Sequence, residues 1–205
     1  ISSFNDPFAK TSTRAGEPWF PYTGIIGNRA IVAGGFLPAP ASSPYRSDTI
    51  DYFDITTTGN ASDFGNLPNA TMSMGGCQAA HRGVFMGASG PLTDNDTITY
   101  ITVAVTGDAQ DFGNLATGRS NCAAASNPTR GVVGGGAAPS PVGTTTDMDY
   151  ITIATTGNGT DFGDLTSARY DPAACASTLG RGVWAGGYQD PGPGGKNIMD
   201  YVTIA

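Results

Sequence analysis

The stretch Arg181-Gly182-Val183-Trp184-Ala185-Gly186-Gly187 decides the fold, because the chain contains it four times in varied form. It returns as Arg130-Gly131-Val132-Val133-Gly134-Gly135, as Arg82-Gly83-Val84-Phe85-Met86-Gly87 and, within Asn28 to Gly35, as Arg29-Ala30-Ile31-Val32-Ala33-Gly34-Gly35. The four arginines, Arg29, Arg82, Arg130 and Arg181, stand 53, 48 and 51 residues apart. A period of that size marks a repeat architecture, in which one unit cannot bury its apolar face alone and neighbouring units do it together.

Outward from each copy the rest of the unit repeats as well. A tyrosine follows in an alternating strand: Tyr52 in Ile50 to Ile55, Tyr100 in Ile98 to Val103, Tyr150 in Met148 to Ile153 and Tyr201 in Met199 to Ile204. Eleven residues after the first three of these tyrosines begins Asp-Phe-Gly-x-Leu, at Asp63, Asp111 and Asp161. Between the two lies Thr-Gly-Asn or Thr-Gly-Asp, ending at Asn60, Asp108 and Asn158, a residue pair suited to a tight hairpin turn. A small-residue strand such as Cys122 to Ser126 precedes the arginine. Four short strands in each period of about 50 residues make one propeller blade. The expected fold is therefore all-β, a four-bladed β-propeller forming one domain over residues 1–205, with blades near 22–67, 74–115, 122–165 and 173–205.

The last blade lacks its outer strand, and the N-terminus is placed to supply it. Ala205 occupies the repeat position of Ala154, while Asp6 and Arg14 match Asp161 and Arg169, so Ile1 falls at the position of Thr156. Residues 1–8 are expected to complete the last blade and so remove an open sheet edge. The alternative is donation of that strand to a neighbouring molecule, which builds filaments or larger rings head to tail. The chain begins at Ile1 and not at Met, as a processed chain or a piece of a longer one does.

The Gly-Gly doublet closing one strand, the tyrosine strand after it and the recurring arginine resemble the Kelch repeat over essentially the whole chain, with residues 15–27 the least regular. The tryptophan that usually follows the tyrosine in that family is absent, and the Phe of Asp-Phe-Gly takes a similar place. The phrases Asp149 to Asn158, Asp161 to Arg169 and Arg181 to Gly187 also look like Kelch-like segments of virion structural proteins from tailed phages of aquatic environments. That resemblance implies an extracellular or virion setting.

Composition agrees with a strand-and-turn protein and narrows the partners. Gly (30 residues) and Pro (14 residues) mark turns, and only 13% of residues are charged. Ten Lys and Arg against 17 Asp and Glu leave a net charge of −7, which disfavours nucleic acid and anionic membrane surfaces. No apolar run approaches the roughly 18 residues of a membrane span, so membrane insertion is not expected. Cys77, Cys122 and Cys175 include no C-x-x-C pair and have one histidine, His81, for company, which argues against zinc. Each cysteine reads as a small buried side chain on an inner strand.

Reactive constellations are sparse, and no catalytic residue or cofactor is expected. His81 has no second histidine beside it, no serine sits in a G-x-S-x-G elbow, and the Gly-rich runs end strands without opening helices. Asp63, Asp111 and Asp161 read as the first residues of equivalent turns, and the repeated arginines and aspartates as structural groups bonded to the backbone. Symmetry-related turn residues are a poor source of the facing acids that glycoside hydrolysis needs. Asp94 to Asp96, and Asp147 with Asp149, are weak calcium candidates because the spacing fits no complete ligand loop.

Specificity belongs where the repeat varies. Trp19, Phe20 and Tyr22 lie in the irregular segment, and Phe36, Tyr45 and Tyr188 lie in Pro-rich loops 36–47 and 188–196, which with 137–146 join second and third strands and emerge on one face. Exposed aromatics there suit sugar rings or a protein neighbour. The expected function is a non-catalytic structural and adhesive module that displays these loops to copies of itself, to other structural subunits or to surface glycan. Two alternatives are a carbohydrate-active enzyme with loop carboxylates and an intracellular Kelch-type adaptor.

Overall fold

The computed structural model describes residues 28–37, 45–79, 81–90, 96–139, 143–177, 180–189 and 194–205. Every regular element among them is a β-strand, and every pairing is antiparallel. Sheet 1 consists of β1 (Arg29–Ala33), β2 (Ser47–Asp54) and β3 (Ser62–Thr71). Sheet 2 runs in chain order through β4 (Gly75–Ala79), β5 (Arg82–Met86), β6 (Thr97–Thr102) and β7 (Gln110–Asn114).

The same order recurs downstream with a small hairpin inserted. Sheet 3 contains β8 (Ala123–Ser126) and β9 (Arg130–Gly134), then, after the hairpin β10 (Ala137–Ala138) and β11 (Gly143–Thr144), β12 (Asp147–Thr152) and β13 (Thr160–Asp164). Sheet 4 contains β14 (Ala173–Ala176) and β15 (Arg181–Ala185), then, after the hairpin β16 (Tyr188–Gln189) and β17 (Gly194–Gly195), β18 (Met199–Thr203). The remaining edge strands of sheets 1 and 4 were expected from residues near 22–27 and 1–8, which lie outside the described residues.

Sequence chemistry accounts for each strand. The arginine strand is short and β-branched, and it stops at a glycine whose φ is positive: +64° at Gly34, +68° at Gly87, +67° at Gly135 and +67° at Gly186. A side chain is barred there twice over, because a Cβ on Gly87 would come within 2.5 Å of the Arg119 carbonyl. The next residue uses that proximity: the N–H groups of Gly35, Ala88 and Gly136 donate to the carbonyls of Thr71, Arg119 and Arg169. The Gly-Gly doublet thus fastens the second strand of a sheet to the segment that leaves its outer strand.

The sheets stack face against face in chain order. Ile50, Phe64 and Leu67 of sheet 1 cluster with Ile101 and Ala109 of sheet 2. Val84, Met86, Ile98 and Phe112 of sheet 2 cluster with Val133, Ile151 and Ile153 of sheet 3. Val132, Met148 and Leu165 of sheet 3 cluster with Trp184 and Ile204 of sheet 4. The first strands β4, β8 and β14 lie beside one another in turn, and a Cβ on Gly75 of β4 would come within 3.2 Å of Ala124 of β8.

Two expectations need correction. The Thr-Gly-Asp segment does not form a two-residue hairpin: seven residues separate β6 from β7, and Gly107 and Ala109 donate their N–H groups to Phe64 and Asn66 of sheet 1. Gly157 and Gly159 do the same to Phe112 and Asn114 of sheet 2, so this segment ties one sheet to the preceding one. The cysteines also differ from one another. Cys77 pairs with Val84 and Cys175 with Val183, whereas the residue at that register in sheet 3 is Ala125, and Cys122 precedes β8. Burial pushes the Cys77 thiol up to about 12 and raises that of Cys122 as well. Cys175 is exposed, because it lies on the side of sheet 4 away from sheet 3, where no further sheet is stacked among the described residues.

Among the described residues Trp184 is the largest fully buried side chain, and its indole N–H donates to the Ala123 carbonyl across the contact between sheets 3 and 4 at 2.9 Å. Trp184→Ala should lower the unfolding free energy by about 3–5 kcal/mol, measured by urea denaturation. A loss below about 1 kcal/mol, the scale of a surface change, would mean that the two sheets do not pack in this way.

Candidate functional site

The repeated residues assemble into a joint between consecutive sheets. Each arginine that opens a second strand stacks on the tyrosine of its own sheet: Arg29 over Tyr52, Arg82 over Tyr100, Arg130 over Tyr150 and Arg181 over Tyr201, at 4.4–4.8 Å from the ring centres. The tyrosines of the first three sheets meet the Phe of Asp-Phe-Gly edge to face, at 5.9–6.0 Å. Arg29 then donates across the joint to the Val103 carbonyl of sheet 2, and Arg82 to the Ile153 carbonyl of sheet 3. Asn127 makes the corresponding bond to the Ile204 carbonyl of sheet 4.

A second arginine locks two of the three joints, and the sequence reading did not assign it that role. Arg119 leaves sheet 2, is completely buried, and pairs with Asp149 of sheet 3 at 2.7 Å. Arg169 leaves sheet 3, is equally buried, and pairs with Asp200 of sheet 4 at 2.7 Å. Each stem runs beside a glycine of the receiving sheet: a Cβ on Gly136 or on Gly187 would lie 3.4 Å from the Cδ of Arg119 or Arg169. At the joint of sheets 1 and 2 all three residues change together, to Thr71, Thr99 and Ala88, and a cavity of about 40 Å³ lined by Leu67, Thr71, Met74, Ala88 and Thr99 remains there. The coordinated change was visible in the sequence as a missing Arg eight residues after Asp63 and a missing Asp before Tyr100.

Electrostatics follows burial. Burial pushes the Asp149 carboxyl up, against the downward pull of the Arg119 guanidinium. Burial also acts upward on Asp200, but the bonds from Thr166 and Arg169 outweigh it and hold this carboxyl below its ordinary value. These contacts also revise the calcium reading of Asp147 and Asp149, because Arg119 already faces both carboxylates. Asp96 offers its main-chain carbonyl to the Leu115 N–H, and Asp94 lies outside the described residues. Among the described residues no three His, Cys, Asp or Glu side chains group to hold a metal ion.

Asp63, Asp111 and Asp161 stand inside strands β3, β7 and β13, exposed, and do not begin turns. Of these three, Asp161 accepts a backbone bond, from the Gly163 N–H at 3.1 Å. Three other residues with positive φ recur two positions after the joint residue: Ser73 (+62°), Asn121 (+55°) and Asp171 (+52°). They are linked in series, since Asn121 donates its N–H to Ser73 and Asp171 donates to Asn121. His81 is exposed at the turn before β5, and its carbonyl accepts the Val103 N–H.

The connections between second and third strands open at equivalent positions of the four sheets. The residue following the Gly-Gly position is Phe36, Ser89, Ala137 or Tyr188 in sheets 1 to 4, so the first and last sheets present an aromatic where the middle two present a small group. Phe36 is exposed with Tyr45 beside it at 6.5 Å, and exposed Tyr188 stacks on Tyr170 at 5.9 Å. Trp19, Phe20 and Tyr22 lie outside the described residues. No protein-family model matches the chain, and no curated protein is significantly similar to it.

Asp149→Ala leaves Arg119 buried without its partner and should cost about 3–5 kcal/mol, whereas Thr99→Ala at the equivalent position strands no buried charge and should cost clearly less, both from urea midpoints. Asp200 contributes a pH dependence of its own. Its ionised form is favoured by folding, so its stabilisation is complete above the usual carboxyl value of 3.8 and disappears as pH falls through the lower folded value. Asp200→Asn should therefore be less stable than the parent at neutral pH and converge with it in acid. A constant difference across an acid titration would contradict this assignment.

Proposed function

We propose that the four sheets are the blades of a four-bladed, Kelch-like β-propeller closed within one chain, and that it works as a non-catalytic structural and binding module. Its rigid stack displays the loops between second and third strands to neighbouring structural subunits or to surface glycan. The observation that carries this reading is the contrast between a scaffold whose arginine–tyrosine stack recurs in all four sheets and a loop edge where equivalent positions hold Phe36, Ser89, Ala137 and Tyr188. Repeating a scaffold within one chain while varying one edge separates the tasks of holding and contacting. Exposed aromatic rings at that edge offer a large contact area at low ordering cost.

The sequence likeness to phage virion segments supports a virion or other extracellular setting, and the net charge of −7 favours partners other than nucleic acid. The buried arginine pairs support the structural role in turn, since they lie between consecutive sheets.

Phe36→Ala combined with Tyr188→Ala should leave the urea midpoint within about 0.5 kcal/mol of the parent, as for surface changes. The same variant should lose retention on immobilised surface polysaccharide, or lose the particles seen by electron microscopy of the purified parent. New reducing ends on incubating the parent with polysaccharide would replace this reading with an enzymatic one. Unchanged retention and unchanged particles in the double variant would rule out the loop edge as the contact surface.

A further inference from the structure

The connection from third to fourth strand leaves an open cleft in sheets 2 and 3 alike. In sheet 2 the chain turns after β6, with the Thr102 carbonyl accepting the Val105 N–H, and then bows away from its own strands toward sheet 1. It is pinned there by the Gly107 and Ala109 N–H groups on Phe64 and Asn66, and by the Asp108 carboxylate, which accepts the Asn66 N–H at 2.9 Å. Sheet 3 repeats the path: the Thr152 carbonyl accepts the Thr155 N–H, Gly157 and Gly159 donate to Phe112 and Asn114, and the Asn158 side-chain oxygen accepts the Asn114 N–H at 3.1 Å. The bowed segment leaves a cleft of about 320 Å³ beside β6 and β7, and one of about 180 Å³ beside β12 and β13. A Cβ on Gly107 or on Gly157 would meet nothing within 4 Å.

The two linings match and are mostly uncharged. Tyr100 and Tyr150, Thr106 and Thr156, Asp108 and Asn158, and Gln110 and Thr160 hold equivalent positions. The Tyr100 hydroxyl donates to the Gln110 side-chain oxygen at 2.7 Å, which leaves the Gln110 amide two N–H donors to offer. Threonine hydroxyls both donate and accept, as the hydroxyls of a sugar do. No Lys or Arg lines either cleft, and the one carboxylate among the lining groups, Asp108, would repel an anion. A purely apolar ligand would strand the amide and hydroxyl groups without water. Clefts at or below about 300 Å³, the lower end of small-molecule sites, have room for a short portion of a chain. The clefts are also neighbours: Gln110 lines the first and Phe112 the second, two residues on along β7, so their near walls lie about 7 Å apart on one strand.

We propose that the two clefts are successive subsites for an uncharged glycan chain, which crosses β7 from sheet 2 to sheet 3. Their walls are pinned to the preceding sheet before any ligand arrives, so binding orders little of the protein. Two linked subsites hold a polymer far more tightly than either holds a single sugar. The clefts lie at the opposite end of β6 and β12 from the loop edge, because one connection enters each third strand and the other leaves it. Occupation of the clefts therefore needs neither Phe36 nor Tyr188, and the loop edge stands or falls separately.

NMR titration of the full chain with oligosaccharides of dextran, mannan and laminarin tests the subsites. At least one of these neutral glycans should shift the amides of residues 106–110 and 156–160, whereas the polyanion hyaluronan should shift neither set. Thr106→Trp and Thr156→Trp each fill one cleft from an exposed position, so their urea midpoints should match the parent. Each should abolish the shifts at its own cleft, keep those at the other and weaken binding of the polymer by about tenfold or more. The double variant should not bind. Should tryptophan disturb the fold, Gln110→Ala with Thr160→Ala removes a polar group from each cleft and should also weaken binding about tenfold or more. Shifts at neither set with all three glycans, or parent-like binding by the double variant, would overturn the subsites. Loss of glycan binding in the Phe36 and Tyr188 double variant, with the cleft variants at parent affinity, would overturn the subsites and leave the loop edge as the contact surface.

Discussion

Sheets of three or four short antiparallel strands are marginal on their own, so each sheet here must cover its faces with its neighbours. That requirement explains the composition of the strands: second and third strands carry apolar residues toward both faces, as in Val132 with Val133 and Met148 with Ile151, all buried. It explains the glycines, since Gly87 and Gly135 let an arginine carbonyl approach where a methyl group could not fit. It also explains why polar groups recur with the apolar ones. Main-chain carbonyls at the edge of a stacked sheet need donors, and Arg29, Arg82 and Asn127 supply them.

The buried arginines add register to what apolar packing alone leaves loose. A charge held in a buried pair adds little net stability over an apolar filling, yet it strongly penalises any arrangement that separates it from its partner. Arg119 can satisfy Asp149 only when sheets 2 and 3 meet in one alignment. The joint of sheets 1 and 2 dispenses with the charges, and Thr71 and Thr99 stand in their place beside a small cavity. A scaffold fixed in this way leaves its loop edge free to vary, and the aromatic residues at the two ends of the array occupy that edge.

Much of the fold was legible because the repeat exposes itself. The arginine strand, the tyrosine strand and Asp-Phe-Gly each became a strand in the expected order, and Tyr52, Tyr100 and Tyr150 pack on Phe64, Phe112 and Phe162. What periodicity could not convey was which neighbour a residue serves. Gly107-Asp108 looked like a local turn, but Asp108 bonds the Asn66 N–H in another sheet, 42 residues away. Arg119 and Arg169 received no role from the sequence, since nothing local announces that a charge will be wholly buried. Cys175 looked like Cys77 because their registers agree, and only the stacking order separates a covered position from an uncovered one. Of the aromatic candidates, Phe36 has Tyr45 beside it and Tyr188 has Tyr170, and Phe36 and Tyr188 hold equivalent positions in sheets 1 and 4, a relation that depends on aligning strands and not on counting residues.

A closed ring requires the outer edge of sheet 4 to be occupied by a further strand. Amide hydrogen exchange of residues 199–204, read by NMR, tests this most directly, because an edge strand leaves alternate N–H groups unpaired. Closure predicts that all of these amides are protected to the same degree as those of residues 147–152, which lie between two strands in sheet 3. Rapid exchange at every second residue of 199–204, with the intervening ones protected by β15, would contradict it.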